Sequence, residues 1–345
     1  MTAKPSAKLA SRSFDKELAE LDALSEALKA GKVLDEEGTK HLRKALTHRN
    51  NFLVAKAARM VGEQAAFALL PDVLVAYDRF FIEGAESDPQ CWAKNALVKT
   101  LVKLEHREKD VYLRGLRCHQ LEGTWGGSSD TAGALRGACT HALVDCPGIH
   151  DAELLTILLE PLVDADKTVR VEAARAIGQV GGTSSGLILR LRALLGSLPA
   201  DEDAPEVLGA VYSALLTVEG EKAIPLVVAA MKDGDDLAGE AAFALADLRI
   251  PEALAALQKR LRAGADAWFT SILFSAIALI RLPEAMDYLL DLVARDTREA
   301  PLAIEAIGRL APNPELRVRL EDAVGQSGSQ RLQTALRQHL PSQSA

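Results

Sequence analysis

The chain has 345 residues, of which 57 are Ala and 54 are Leu, while Phe, Trp and Tyr together make up only 4%. Ala and Leu favour helices and strand formers are scarce, which excludes an all-β fold. A hydrophobic content of 48% excludes disorder over most of the length. The formal net charge is −8, which argues against a general nucleic-acid binder. That charge is unevenly placed: residues 1–120 carry 20 basic and 17 acidic side chains, net +3, and residues 121–345 carry 20 and 31, net −11. The polarity directs attention to the N-terminal part as the place where a partner binds.

Taken in chain order, residues 1–13 read as a flexible tail, with scattered Lys4, Lys8 and Arg12 and no apolar run of the kind a signal peptide needs. Phe14 to Ala30 and Asp35 to Leu46 read as a helical pair, so that residues 14–47 form an N-terminal capping hairpin. A repeat follows. Its clearest copy is TVRVEAARAIGQVGG at 168–182, which puts Ala173, Ala176, Ile177 and Val180 on one helical stripe. Anchoring each copy on the residue after the aliphatic one gives Gly62, Val102, Val144, Gly178, Leu216, Ala246, Ile280 and Gly308. The intervals are 40, 42, 34, 38, 30, 34 and 28 residues, the periods of helical-hairpin repeats.

Each copy precedes a second amphipathic segment. Pro225, Pro251, Pro283 and Pro314 stand near the start of four of these, where proline costs no helical hydrogen bond. Glu252, Glu284 and Glu315 follow directly and suit the positive helix N-terminus. Two longer connections, Gly123 to Gly133 and Gly196 to Glu206, have loop compositions. Gln330 to His339 reads as a last helix and residues 341–345 as a tail. The expected fold is all-α: an α-solenoid of about nine stacked antiparallel helical hairpins, one domain over 14–340.

The segment DADKTVRVEAARAIGQVGG at 164–182 resembles the HEAT-like repeats of the phycobilisome-lyase type. Val169-Arg170, Ala173-Ala174 and Ala176-Ile177-Gly178 match the order of that repeat, and Leu135-Arg136 and Ala306-Ile307-Gly308 match it in part. The resemblance implies a HEAT-like superhelix and leaves function open, since such proteins include scaffolds, chromophore lyases, hydroxylases and DNA glycosylases. The hydroxylases of this kind hold a di-iron centre with repeated His-Glu pairs. None of the seven histidines here is followed by Glu.

Other chemistry is tested residue by residue. Cys139, His141, Cys146 and His150, with Cys118-His119 upstream, have the right donor types for Zn²⁺. Yet Cys139 and Cys146 occupy positions that are apolar in the other copies, so they read as core residues and no metal is expected. TWGGSSD at 124–130 lacks the Lys-Ser/Thr ending of a phosphate-binding loop and reads as an insertion. The acidic run Asp201-Glu202-Asp203 reads as solvated loop charge. No cofactor and no catalytic residues are assigned. The longest uncharged stretch, Ala267 to Ile280, is too short to span a bilayer, and the expected setting is cytoplasmic and reducing.

The resemblance also implies that the first helix of each hairpin lines a concave face. Counting back from the anchors then places Phe52, Lys56, Arg59, Trp92, Lys99, His141 and Arg175 along it, with Lys103 beside Lys99, as partner-binding residues. Farther along, the same offsets give apolar Phe243, Phe274 and Ile277. Cations interleaved with aromatics can hold an acidic peptide or a nucleic-acid strand. The preferred reading is a non-enzymatic adaptor or scaffold that binds a protein or peptide on this face. The alternatives are a nucleic-acid-binding or DNA-base-repair protein, favoured only by the basic stripe, and a chromophore lyase, which rests on the resemblance alone.

Overall fold

The computed structural model describes residues 7–196 and 204–340, with side chains from residue 14 onward. The Asp201-Glu202-Asp203 run and the last five residues lie outside them. Packing divides the chain into two compact units that part within one helix, after Ala176.

The first unit opens with α1 (Ala7–Lys29), which begins inside the segment expected as a tail, and α2 (Glu36–Leu46). It continues with α3 (Asn51–Glu63), α4 (Leu70–Arg79), a single turn α5 (Gly84–Ser87), α6 (Trp92–Lys103) and α7 (Lys109–Leu116). Two strands, β1 (Leu121–Thr124) and β2 (Gly127–Asp130), precede α8 (Gly133–Ala142), α9 (Asp151–Leu159) and α10 (Lys167–Val180). The second unit carries α11 (Gly182–Gly196), α12 (Pro205–Glu219), α13 (Ile224–Ala230), α14 (Asp236–Asp247) and α15 (Pro251–Arg262). It ends with α16 (Ala267–Ile280), α17 (Pro283–Ala294), α18 (Ala300–Arg309), α19 (Pro314–Ser327) and α20 (Gln330–His339).

The fold is an all-α solenoid. Every repeat anchor lies in the first helix of a pair or in the short 3₁₀ turn that ends it: α3, α6, α8, α10, α12, α14, α16 and α18. The pairs stack in two layers. In the first unit α3 packs on α6 and α6 on α8, with α2 on α4 behind them. In the second, α12, α14, α16 and α18 pack in succession, with α13 on α15 and α17 on α19. Helix starts follow the sequence cues: Pro251, Pro283 and Pro314 open α15, α17 and α19, while Asp235 and Asp266 cap α14 and α16 by accepting from Ala238 N and Phe269 N.

The Ala excess has a packing cause. Ala173, Ala174 and Ala176 are fully buried, and a methyl group built on Gly178 would come within 2.8 Å of the Ala214 methyl. Backbones that approach this closely exclude larger side chains at the contact.

One expectation is corrected. The insertion after α7 is an antiparallel hairpin and not an unstructured loop. Leu121 pairs with Asp130 and Thr124 with Gly127, and Gly126 takes φ +90° in the two-residue connection. Glycine adopts that angle without strain, which permits so short a turn. Trp125 stands at its tip, fully exposed.

Candidate functional site

The aromatic and basic residues meet where α3 packs on α6. Asn50 caps α3 by accepting from Phe52 N and Leu53 N, which sets Phe52 in the first turn. Asp88 does the same for α6, accepting from Ala93 N at 2.8 Å and Lys94 N at 3.0 Å, and Trp92 opens that helix. The two rings are therefore neighbours, with centroids 5.9 Å apart and planes at 59°. Phe52 is 37% exposed and Trp92 49%, so the pair is a surface feature.

Beside Trp92 runs a groove of about 420 Å³ lined by Arg59, Glu63, Asn95, Lys99 and Lys103. Arg59, Lys99 and Lys103 are exposed and form no ion pair among the described residues. The Lys103 stem lies against Gly62, where an added methyl would sit 3.0 Å from its Cδ. Asn95 Oδ1 is buried and accepts no hydrogen bond among the described residues. From Trp92 to Lys103 the helix rises about 16 Å, the reach of an extended segment of roughly five residues.

The other three candidate residues are engaged elsewhere. Lys56 pairs with Asp22 of α1. His141 and Arg175 share a single partner, Glu172, at 3.9 and 2.7 Å. The apolar continuation is corrected as well: Phe274 and Ile277 are buried core residues and Phe243 is half-buried. The cause is local. α16 is enclosed by α14, α15, α17 and α18, so the offset that exposes Lys99 in α6 buries Ile277 there, while the offset of Phe274 is buried in α6 as well, at Ala96.

Sequence reasoning passed over a polar cluster at the base of the hairpin. Lys94 is fully buried; its Nζ lies 3.1 Å from Asp88 Oδ2 and donates to Phe80 O at 3.1 Å and Gln120 Oε1 at 2.8 Å. Glu122 of β1 accepts from Gln90 N, Gln90 Nε2, Gln120 Nε2 and Thr131 Oγ1. Burial raises the Glu122 carboxyl, but these hydrogen bonds together hold it below the usual range. They fix Gln90 and Cys91 at φ +61° and +52°, the left-handed region, directly before Trp92. The legible signal was Lys94 itself. It heads the series Leu97, Val98 and Leu101, a core spacing that should have flagged a buried cation.

Arg136 closes the other side of the hairpin with bonds to Asp164 at 2.8 and 2.9 Å and to Asp130 at 2.7 Å. Burial raises the Asp130 carboxyl, but donation from Gln120 N, Ala132 N, His119 and Arg136 outweighs it and brings it down to about 2. A carboxyl depressed in the folded state stabilises the fold above its ordinary pKa, and that contribution is lost as pH falls through the folded value. Stability should accordingly decline as pH drops from the usual aspartate range towards about 2. Asp130→Asn should flatten this part of the profile. Urea titrations at successive acid pH values that give the same slope for both proteins would overturn the assignment.

Three of the four cysteines are core residues. Cys91, Cys139 and Cys146 are buried, and all four thiols are free. Burial pushes Cys139 up to about 12 and Cys91 and Cys146 up to about 11. Cys139 shares a 3.8 Å hydrogen bond with the Tyr77 hydroxyl, whereas His141 turns to Glu172. Among the described residues no three His, Cys, Asp or Glu side chains are grouped to hold a metal ion.

A family model for HEAT repeats matches residues 152–239, from α9 into α14. That segment is similar to HEAT repeats, and the match does not single out the phycobilisome-lyase type. Two solved structures of engineered proteins are similar to it. One is 16% identical, covers 94% of this chain and 92% of its own, and has a TM-score of 0.33. The other is 17% identical, covers 85% and 96%, and has a TM-score of 0.21. The fold rests on the helices described above. No curated protein matches the chain.

Proposed function

We propose that this chain is a non-enzymatic scaffold that binds an extended acidic segment of a partner protein across α3 and α6. The carrying observation is the exposed Phe52–Trp92 pair beside Arg59, Lys99 and Lys103, three cations with no ion-pair partner among the described residues. The aromatic pair supplies an anchor of large apolar area, and the cations give complementarity to carboxylates and steer the encounter. Repeat helices presented side by side suit a ligand that spreads over more than one hairpin.

A nucleic-acid strand is the lesser reading. Three cations beside Glu63, in a chain of net charge −8, fall short of the phosphate contacts that strand binding uses. Free thiols at every cysteine support a reducing, cytoplasmic setting. No helix among the described residues is long and apolar enough to cross a membrane.

The test titrates the folded chain with fluorescent peptides that alternate Asp or Glu with Leu or Phe, beside a single-stranded oligonucleotide of equal charge. Saturable peptide binding is expected. Trp92→Ala and Lys99→Glu should each weaken it about tenfold without altering the circular dichroism spectrum, because both side chains are exposed. Unchanged affinity in the folded variants, or preference for the oligonucleotide, would reject the proposal.

A further inference from the structure

α11 breaks the rule that a surface helix turns a polar face to water. Its inner side is formed by buried Ser185, Gly186, Leu189, Ala193 and Gly196, and it packs on α12. Its outer side carries Leu187, Leu191, Leu194 and Leu195, exposed by 64%, 58%, 55% and 44%. The remaining exposed positions are Gly182, Thr183 and Ser184, so the outer face bears no charge; Arg190 and Arg192 beside it are half-buried, and Arg190 is engaged with Glu219. The leucines fall at i, i+4, i+7 and i+8, which aligns them along one side of the helix. A helix that is apolar on both sides is a helix with a second packing partner.

From this geometry we infer that the α11 face is a homodimer interface, occupied by α11 of a second copy of this chain. Lack of charge is what favours a second copy. A surface that specifies a foreign protein does so with placed charges and hydrogen-bonding groups. A surface that meets its own image across a two-fold axis has to avoid opposing like charges, and this one carries none. The size also fits. The four leucines expose on the order of 400 Å² of apolar surface, the size that marks an interaction patch on a monomer. A stable interface takes about 800 Å² from each partner, so the four leucines form its centre and supply about half of it. Leu191 lies at the middle of the row, and a two-fold axis there brings the two Leu191 side chains together.

The experiment is sedimentation equilibrium of the full chain from below 1 µM to about 100 µM, a range matched to an interface of this size. A reversible monomer–dimer equilibrium is expected, and Leu187→Glu with Leu191→Glu should abolish it while the helical spectrum is retained. A second measurement covers a variant that fails to fold. Leu191→Cys should form an oxidised dimer held by one new disulfide, and Leu159→Cys, exposed on α9, should not. Wild type that stays monomeric throughout, a dimer that persists in the folded glutamate variant, or equal cross-linking at both cysteine positions would overturn the inference.

Discussion

Replacing Asp88 by Ala is expected to cost the first unit about 3–5 kcal/mol, the effect of stripping a buried ion of its partner. Asp88 and Lys94 are both fully buried and lie 3.1 Å apart. Without the carboxylate, the ammonium keeps only neutral acceptors, Phe80 O and Gln120 Oε1. The N–H groups of Ala93 and Lys94 lose their cap at the same moment, and Asn51 loses the 2.9 Å bond that ties α3 to this junction. Lys94→Met should be milder, because Asp88 then retains the donors from Asn51, Ala93 and the residue 94 backbone. The asymmetry is the discriminating result. Urea unfolding followed by fluorescence measures both variants, and equal losses would show that the ion pair, not the helix cap, dominates the site.

Asp88 also shows why the fold was easier to read than the candidate site. The repeat is written in local spacing: small and aliphatic residues recur at i, i+3 and i+4 from α3 to α18, and Pro-Glu starts mark three second-layer helices. Such signals need only one helix to be interpreted. The base of the hairpin is different. Glu122 reaches back 32 residues to Gln90, and Lys94 reaches Gln120 across 26, so no local pattern announces either contact. The hairpin itself has little strand character, since LEGTWGGSSD shows no apolar alternation, and its ordering comes from Asp130, Glu122 and Arg136 at its base. Five of the eight residues assigned to the binding face lie together because they sit on two adjacent helices, α3 and α6. The fixed offsets failed at Ile277, because exposure at a given offset depends on the helices that surround it, and at Phe274, because that offset is buried already at Ala96 and Ala210.

Gly115 tests the packing side of the same region. It lies in α7 where that helix meets α8, and a methyl group built on it would come within 2.3 Å of Cys139 Sγ and 2.5 Å of the Tyr77 hydroxyl. Both are inside the distance that real contacts tolerate, and neither obstacle can swing into water, since Tyr77 and Cys139 are fully buried. Gly115→Val is therefore expected to cost about 3 kcal/mol, the upper end for overpacking a closed core. Adding Cys139→Ala removes the nearer atom, and adding Tyr77→Phe removes the other. The triple variant should then recover most of the loss and exceed the sum of the single effects, the mark of residues that share one space. The same cycle separates crowding from backbone preference. Gly115 has ordinary helical geometry, so a side chain there carries no conformational penalty of its own, and valine in place of glycine is otherwise mildly favourable. If the triple variant remained as unstable as Gly115→Val alone, the close approach of α7 to α8 would have to depend on contacts other than Cys139 and Tyr77.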